Sequence, residues 1–154
     1  MAPASPPATK GAAIEGLCVG GPVNTYSGQY YFNTSSVPDV NTTGLLTWEL
    51  HGGNFNLSSP MDFSYNPASN VAVPLFTPSE TGTNVAFDER NRMNLQQYLD
   101  DTKPLPNYAV KPLYRWYVCT TYAGYLYQTL AWVMGDGKPE NPTCQKVDVV
   151  RVFI

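Results

Sequence analysis

The feature that most restricts this chain is a hydrophobic period of two, restarted roughly every ten residues by a chain-reversal signal. Leu46, Trp48 and Leu50 alternate with Leu45, Thr47 and Glu49, and Met61, Phe63 and Tyr65 alternate with Asp62 and Ser64. Further on, Trp116, Val118 and Thr120 alternate with Arg115, Tyr117 and Cys119. Such spacing puts one set of side chains on one face of a strand and the other set on the opposite face. The stretch 125–134 is apolar on both faces, as in a central strand covered from two sides, and 147–154 is a β-branched run. Weaker strand signals lie at 17–19, 29–32, 71–76 and 85–87.

Turn chemistry separates these runs: Ser27-Gly28, His51-Gly52-Gly53-Asn54, Ser59-Pro60, Asn66-Pro67, Ala123-Gly124 and Gly135-Asp136-Gly137. The expected fold is therefore all-β, a single antiparallel β-barrel or β-sandwich with at most one or two short helices. Leu95, Tyr98 and Leu99 have helical spacing and are followed by Pro104 and Pro106, so 94–101 reads as a two-turn helix. The rest of 77–112 is polar and Pro-containing, and reads as a long surface loop.

At 154 residues the chain makes one domain with a core of its own. Residues 1–13 are small and Pro-rich and read as a flexible arm, leaving 14–154 as the β domain. Charged residues are 14%, against about 25% in ordinary soluble domains. With a net charge of −3, a broad electrostatic grip on nucleic acid or an anionic membrane is not expected. Asn33, Asn41 and Asn56 each open an Asn-X-Ser/Thr sequon within a loop-rich stretch, which with the cysteines points to a secreted, extracellular glycoprotein.

There are three cysteines. Cys119 falls on an expected strand and Cys144 just before the last one, where a meander brings the chain back beside itself. A 119–144 disulfide is the simplest pairing. Cys18 is then unpaired or forms an intermolecular bond; a bridge from Cys18 to either C-terminal cysteine, or a buried thiol, is the alternative. Homodimerisation follows from a spare cysteine, a long apolar strand and an open edge at 147–154.

No residue pattern calls for catalysis, a cofactor or a metal. His51 and Glu49 share a strand face, but a solvated polar pair before a Gly-Gly turn explains them more simply. Glu49 and Asp62 are the carboxylates a small glycoside hydrolase would use. The richest cluster is aromatic, with Tyr117, Tyr122, Tyr125 and Tyr127 as a candidate binding surface for a sugar ring or a protein and Trp116 and Trp132 turned into the core.

The C-terminal segments WYVCTTY at 116–122, YLYQTLAWV at 125–133 and NPTCQKVDVVRVF at 141–153 resemble the tail of small secreted proteins of filamentous fungi. Some of these are effectors or elicitors with a β-barrel similar to the Alternaria major allergen. The resemblance implies a non-enzymatic protein whose partner is a host or cell-wall protein or glycan. A carbohydrate-binding module is the alternative. Barrels of that type carry two intrachain bridges, and three cysteines depart from the pattern.

Overall fold

A computed structural model of the chain describes residues 15–16, 29–34, 42–122 and 124–153. The arm at 1–13, the weak strand signal at 17–19, Cys18, Ser27-Gly28 and Asn41 lie outside them. Among the described residues the fold is all-β, with no helix and one curled antiparallel sheet that forms a half-barrel. Its strands are β1 (Glu15–Gly16), β2 (Tyr31–Thr34), β3 (Gly44–His51), β4 (Asn56–Tyr65), β5 (Val71–Phe76), β6 (Asn84–Phe87), β7 (Met93–Leu99), β8 (Tyr108–Leu113), β9 (Trp116–Tyr122), β10 (Leu126–Val133) and β11 (Gln145–Lys146). They are ordered β11-β9-β10-β5-β4-β3-β6-β7-β8, with β1 added to β5 and β2 to β3.

β4 turns the corner of the sheet. Its first half pairs with β3 (Thr47 opposite Pro60) and its second half with β5 (Met61 opposite Phe76). Pro60 lies at the switch, where the missing N–H costs the ladder least. Ser59-Pro60, expected to reverse the chain, therefore sits inside a bent strand. β6 takes over the vacated edge of β3, pairing Val85 with Gly44, whose other edge holds Thr34 of β2. A Cβ at Gly44 would run into the Asn33 carbonyl.

The concave face carries the core. Trp116 and Trp132 are cross-strand partners, their rings edge-to-face at 4.9 Å, with Phe63 at 6.0 and 6.3 Å. Met61, Phe76, Val85, Met93 and Leu130 close around them. The Trp116 indole donates to the Met93 carbonyl at 2.9 Å, linking β9 to β7 across the interior. On the convex face a smaller cluster of Val71, Cys119, Ala131 and Val133 is covered by Tyr117 and Cys144. The expectation of a central strand covered on both faces thus holds for β10, buried from Thr129 to Val133.

Three expectations are corrected. The 94–101 segment is not a helix, because β7 pairs Leu95 with Leu113, Gln97 with Lys111 and Met93 with Phe87. Met93, Leu95, Gln97 and Leu99 carry a period of two, and neighbours on both edges select it over a marginal two-turn helix. The supposed loop 77–112 accordingly contains β6, β7 and β8. Over its described residues, 147–153, the run 147–154 is not a continuous strand. Its backbone bonds are divided: Val147 N–H reaches Trp116 O (3.0 Å), Val149 O accepts from Met93 N–H (2.8 Å) and Arg151 N–H reaches Asn91 O (3.0 Å). The C-terminal segment is a strap that ties β9 to the β6–β7 turn across the open seam of the half-barrel.

Candidate functional site: a rim of hairpin turns

Because every pairing is antiparallel, β3, β5, β7 and β9 run one way and β4, β6, β8 and β10 the other. Alternate turns therefore gather at the same end of the sheet. The β3–β4, β7–β8 and β9–β10 turns lie at one end, here called the rim, and the β5–β6 link lies towards that end as well. The β4–β5 and β6–β7 turns, the β8–β9 link and the C-terminal strap form the other, the floor.

The rim turns expose large apolar side chains. In the β3–β4 turn Gly52 N–H donates to Phe55 O at 2.7 Å, and the Phe55 ring packs onto Gly52, so a Cβ there would push the ring aside. That ring still stands 51% exposed. In the β7–β8 turn the Asp100 carboxylate accepts from Thr102 N–H (3.2 Å) and the Thr102 hydroxyl and pairs with Lys103 (3.1 Å). These contacts, the Thr102 hydroxyl first, hold its pKa below the usual carboxylate value. The turn so braced presents Leu105 and Tyr108, the latter 76% exposed. The β9–β10 turn, with Gly124 at φ 79°, presents Tyr122, Tyr125 and Leu126, each about two-thirds exposed or more. No charged residue occurs between Arg115 and Asp136, so this hairpin offers an uncharged surface dominated by rings and hydroxyls.

The four tyrosines anticipated as one surface divide. Tyr122 and Tyr125 stand at the rim. Tyr117, opposite Ala131, is half-buried on the convex face beside the cover over Cys119, and Tyr127, opposite Thr121, is half-buried on that face as well. The sequence reading missed Phe55, Leu105 and Tyr108 as companions of Tyr122 and Tyr125. Alternation reports which face a residue occupies but not which end of the sheet it reaches, and β8 was not recognised as a strand.

The polar candidates lie elsewhere. His51 Nδ1 bonds the Asn56 Oδ1 at 3.0 Å and its Nε2 is 3.8 Å from Glu49, on the exposed convex face of β3–β4. Glu49 pairs with Ser58, so Asp62 is displaced by four residues along β4, about 13 Å at the rise of a strand. Glycosidase carboxyls stand about 5–10 Å apart. Asp62 Oδ1 is already engaged by Thr83 Oγ1 (2.7 Å) and Phe63 N–H (2.9 Å). Among the described residues no three His, Cys, Asp or Glu are placed to hold a metal.

The floor is built from satisfied polar groups. Asp88 accepts from Arg90 N–H and Arg92 N–H (both 2.9 Å), from Arg92 Nε (2.9 Å) and from the Tyr114 hydroxyl (2.9 Å). Desolvation pushes its carboxyl up, but these four donors outweigh it and leave the pKa at about 2. Arg92 stacks 4.8 Å over Tyr114, and burial together with the Asp88 contact raises the Tyr114 pKa. Asn91 takes the positive φ (59°) of this turn, and its Oδ1 accepts from Arg151 Nε at 3.0 Å. Arg151 in turn lies 4.4 Å over Phe87.

The convex cover, 134–144, is held just as closely. The Asn70 side chain donates to Lys138 O (2.9 Å) and accepts from Glu140 N–H (2.9 Å), and Arg115 Nε donates to Val133 O (2.7 Å). Thr143 Oγ1 accepts from Thr120 N–H, Asn141 Nδ2 donates to Thr120 O, and the Cys119–Cys144 disulfide closes the cover. This bridge points to an oxidising environment. No helix among the described residues is long and apolar enough to cross a membrane.

Fold and site together define a disulfide-clipped antiparallel half-barrel with a braced polar floor and an aromatic rim. The chain belongs to the family described as a domain of unknown function (DUF7907), whose model matches residues 8–153. Comparison with curated proteins and with solved structures finds no significant match to either.

Proposed function

We propose that the protein is a secreted, non-enzymatic recognition protein of the fungal effector or elicitor type, binding a host or cell-wall protein or glycan through the rim. The observation that supports this most is the gathering of Phe55, Leu105, Tyr108, Tyr122 and Tyr125, all more than half exposed, at one end of the sheet. Tyrosines give large contact area at small entropic cost and keep a hydroxyl for hydrogen bonding, which suits them to anchor an interface. Rigid strands carrying variable turns at one end are a recurring way to present such a surface.

The same uncharged rings around Tyr122 and Tyr125 also suit the flat faces of sugars, so a carbohydrate-binding module is the second reading. One experiment addresses both. The purified protein is applied to an array of plant and fungal wall glycans and, in parallel, to immobilised host extracellular proteins. Saturable binding on either panel that weakens at least tenfold in Tyr108→Ala/Tyr122→Ala/Tyr125→Ala supports the reading, and the panel names the partner class. Binding undiminished in that variant refutes the rim as the surface. Light scattering reports whether a second copy of the 16.9 kDa chain is among the partners.

A further inference from the structure

The sequons at Asn33 and Asn56 differ in how the fold uses their side chains. We infer that Asn56 is an N-glycan acceptor of the folded protein and that Asn33 is not, an inference that rests on passage through a secretory pathway.

The sugar is attached at Nδ2, so the question is which amide atom the protein already holds. In Asn56 it is the oxygen: Oδ1 meets His51 Nδ1 at 3.0 Å. Nδ2 makes no hydrogen bond among the described residues, and the residue is exposed at the start of β4. Ser58, the hydroxyl of the sequon, is likewise exposed and shares the convex face with Asn56. A glycan there leaves the His51 bond in place and projects into solvent.

In Asn33 the protein holds the nitrogen. Nδ2 donates to Thr47 Oγ1 at 3.1 Å, and Thr47 is 5% exposed between β2 and β4. Thr47 Oγ1 passes the bond on to the Tyr31 carbonyl at 3.3 Å. Asn33 is itself exposed, but the glycosidic bond replaces one of the two Nδ2 hydrogens, so a sugar competes with Thr47 Oγ1 for this nitrogen. The Thr47 contact therefore disfavours a glycan at Asn33 in molecules that keep the native pairing of β2 with β3. Asn56 follows Phe55 directly, so the glycan attaches at the rim end of β4, on the convex face that carries Glu49 and His51.

The test fuses the chain to a signal peptide and secretes it from a yeast or insect host. The secreted protein is digested with chymotrypsin, because no Lys or Arg lies between Lys10 and Arg90, and sites are mapped after enzymatic deglycosylation in heavy-oxygen water. The expected result is majority occupancy at Asn56 with less than about a tenth of that at Asn33. Substantial occupancy at Asn33, or an empty Asn56, overturns the inference. Asn33→Gln and Asn56→Gln are compared by thermal melting: the first, which disturbs the part-buried Thr47 contact, should melt lower than the second, which disturbs only the exposed His51 contact, and the reverse order counts against the assignment. Forced secretion makes the outcome independent of the rim, whose failure would show only in the binding experiment.

Discussion

The two ends of the half-barrel are made from the same strands yet solve opposite problems. At the floor the β4–β5 and β6–β7 turns carry an acidic or amide side chain that caps its own backbone: Asn66 Oδ1 takes Ala68 N–H, and Asp88 takes Arg90 and Arg92 N–H. At the rim the β9–β10 turn uses Gly124 at φ 79°, the β7–β8 turn is braced by Asp100 and the β5–β6 link by Ser79 Oγ, which takes Thr81 N–H. Their large side chains point outward. Several donors converging on one carboxylate or amide hold a turn in one conformation. Exposed rings add little to folding and are available to a partner. The difference teaches that stability and recognition have been placed at opposite ends, so mutations should separate them.

The largest effect belongs near the floor. Trp116 is 1% exposed, packs against Trp132 and Phe63 and ties β9 to Met93. Trp116→Ala should cost about 3–5 kcal/mol in urea unfolding, and a loss under 1 kcal/mol would mean the core is not organised around this pair. Next is the cover over the convex face. Cys119→Ser/Cys144→Ser opens a loop whose ends are 25 residues apart and should cost about 3 kcal/mol. Amide exchange should accelerate in 134–144 while the β3–β4 arm keeps its protection.

A smaller effect tests the floor network and carries its own pH signature. Asp88 has a pKa of about 2 in the folded protein against 3.8 for a free side chain. Its ionised form therefore stabilises the fold above about pH 4, and that contribution fades as pH falls towards 2. Asp88→Asn should melt about 5 °C lower at pH 6. The gap from the native chain should narrow between pH 4 and 2; a gap independent of pH there would show that the carboxylate charge is not what holds the turn.

This division into ends explains what could be read from the sequence. Strands β3, β4 and β9 were legible because each turns an apolar row inward, β10 because it is apolar on both faces, and β5 only as a weaker apolar run. The Cys119–Cys144 bridge followed from the meander around β9 and β10. β7 was not. Asn94 and Gln96 look solvent-bound, yet Asn94 is 1% exposed and Gln96 Nε2 donates to its Oδ1 at 2.6 Å, so the period of two was masked by polar residues that pair with each other. β8, an edge strand, has Tyr108, Val110, Lys111 and Pro112 all exposed and little contrast between faces. Lys111 and Pro112 are the residues that discourage another chain from pairing at an open edge. The strap at 147–153 misleads in the other direction, since its β-branched residues suit extended backbone whether or not one neighbour accompanies it throughout. The rim depends on all of these: only once β7 and β8 are strands does the 100–107 turn fall at the same end as Tyr122 and Tyr125.

The smallest effect on folding is the sharpest test of the comparison. Tyr125 is 66% exposed, and Tyr122, though it ends β9, is 76% exposed. Tyr122→Ala and Tyr125→Ala should each shift stability by no more than about 0.5 kcal/mol, as substitutions away from core, caps and networks do. If the rim is the recognition surface, the same changes should cost at least about 1 kcal/mol each in binding, the level that marks an anchoring residue. Isothermal titration beside urea unfolding on the same preparations measures both quantities. A tyrosine that proves costly to folding and indifferent to binding would mean the β9–β10 hairpin is part of the scaffold. The functional surface would then have to be sought on the other two turns, where Phe55 and Tyr108 offer the next substitutions.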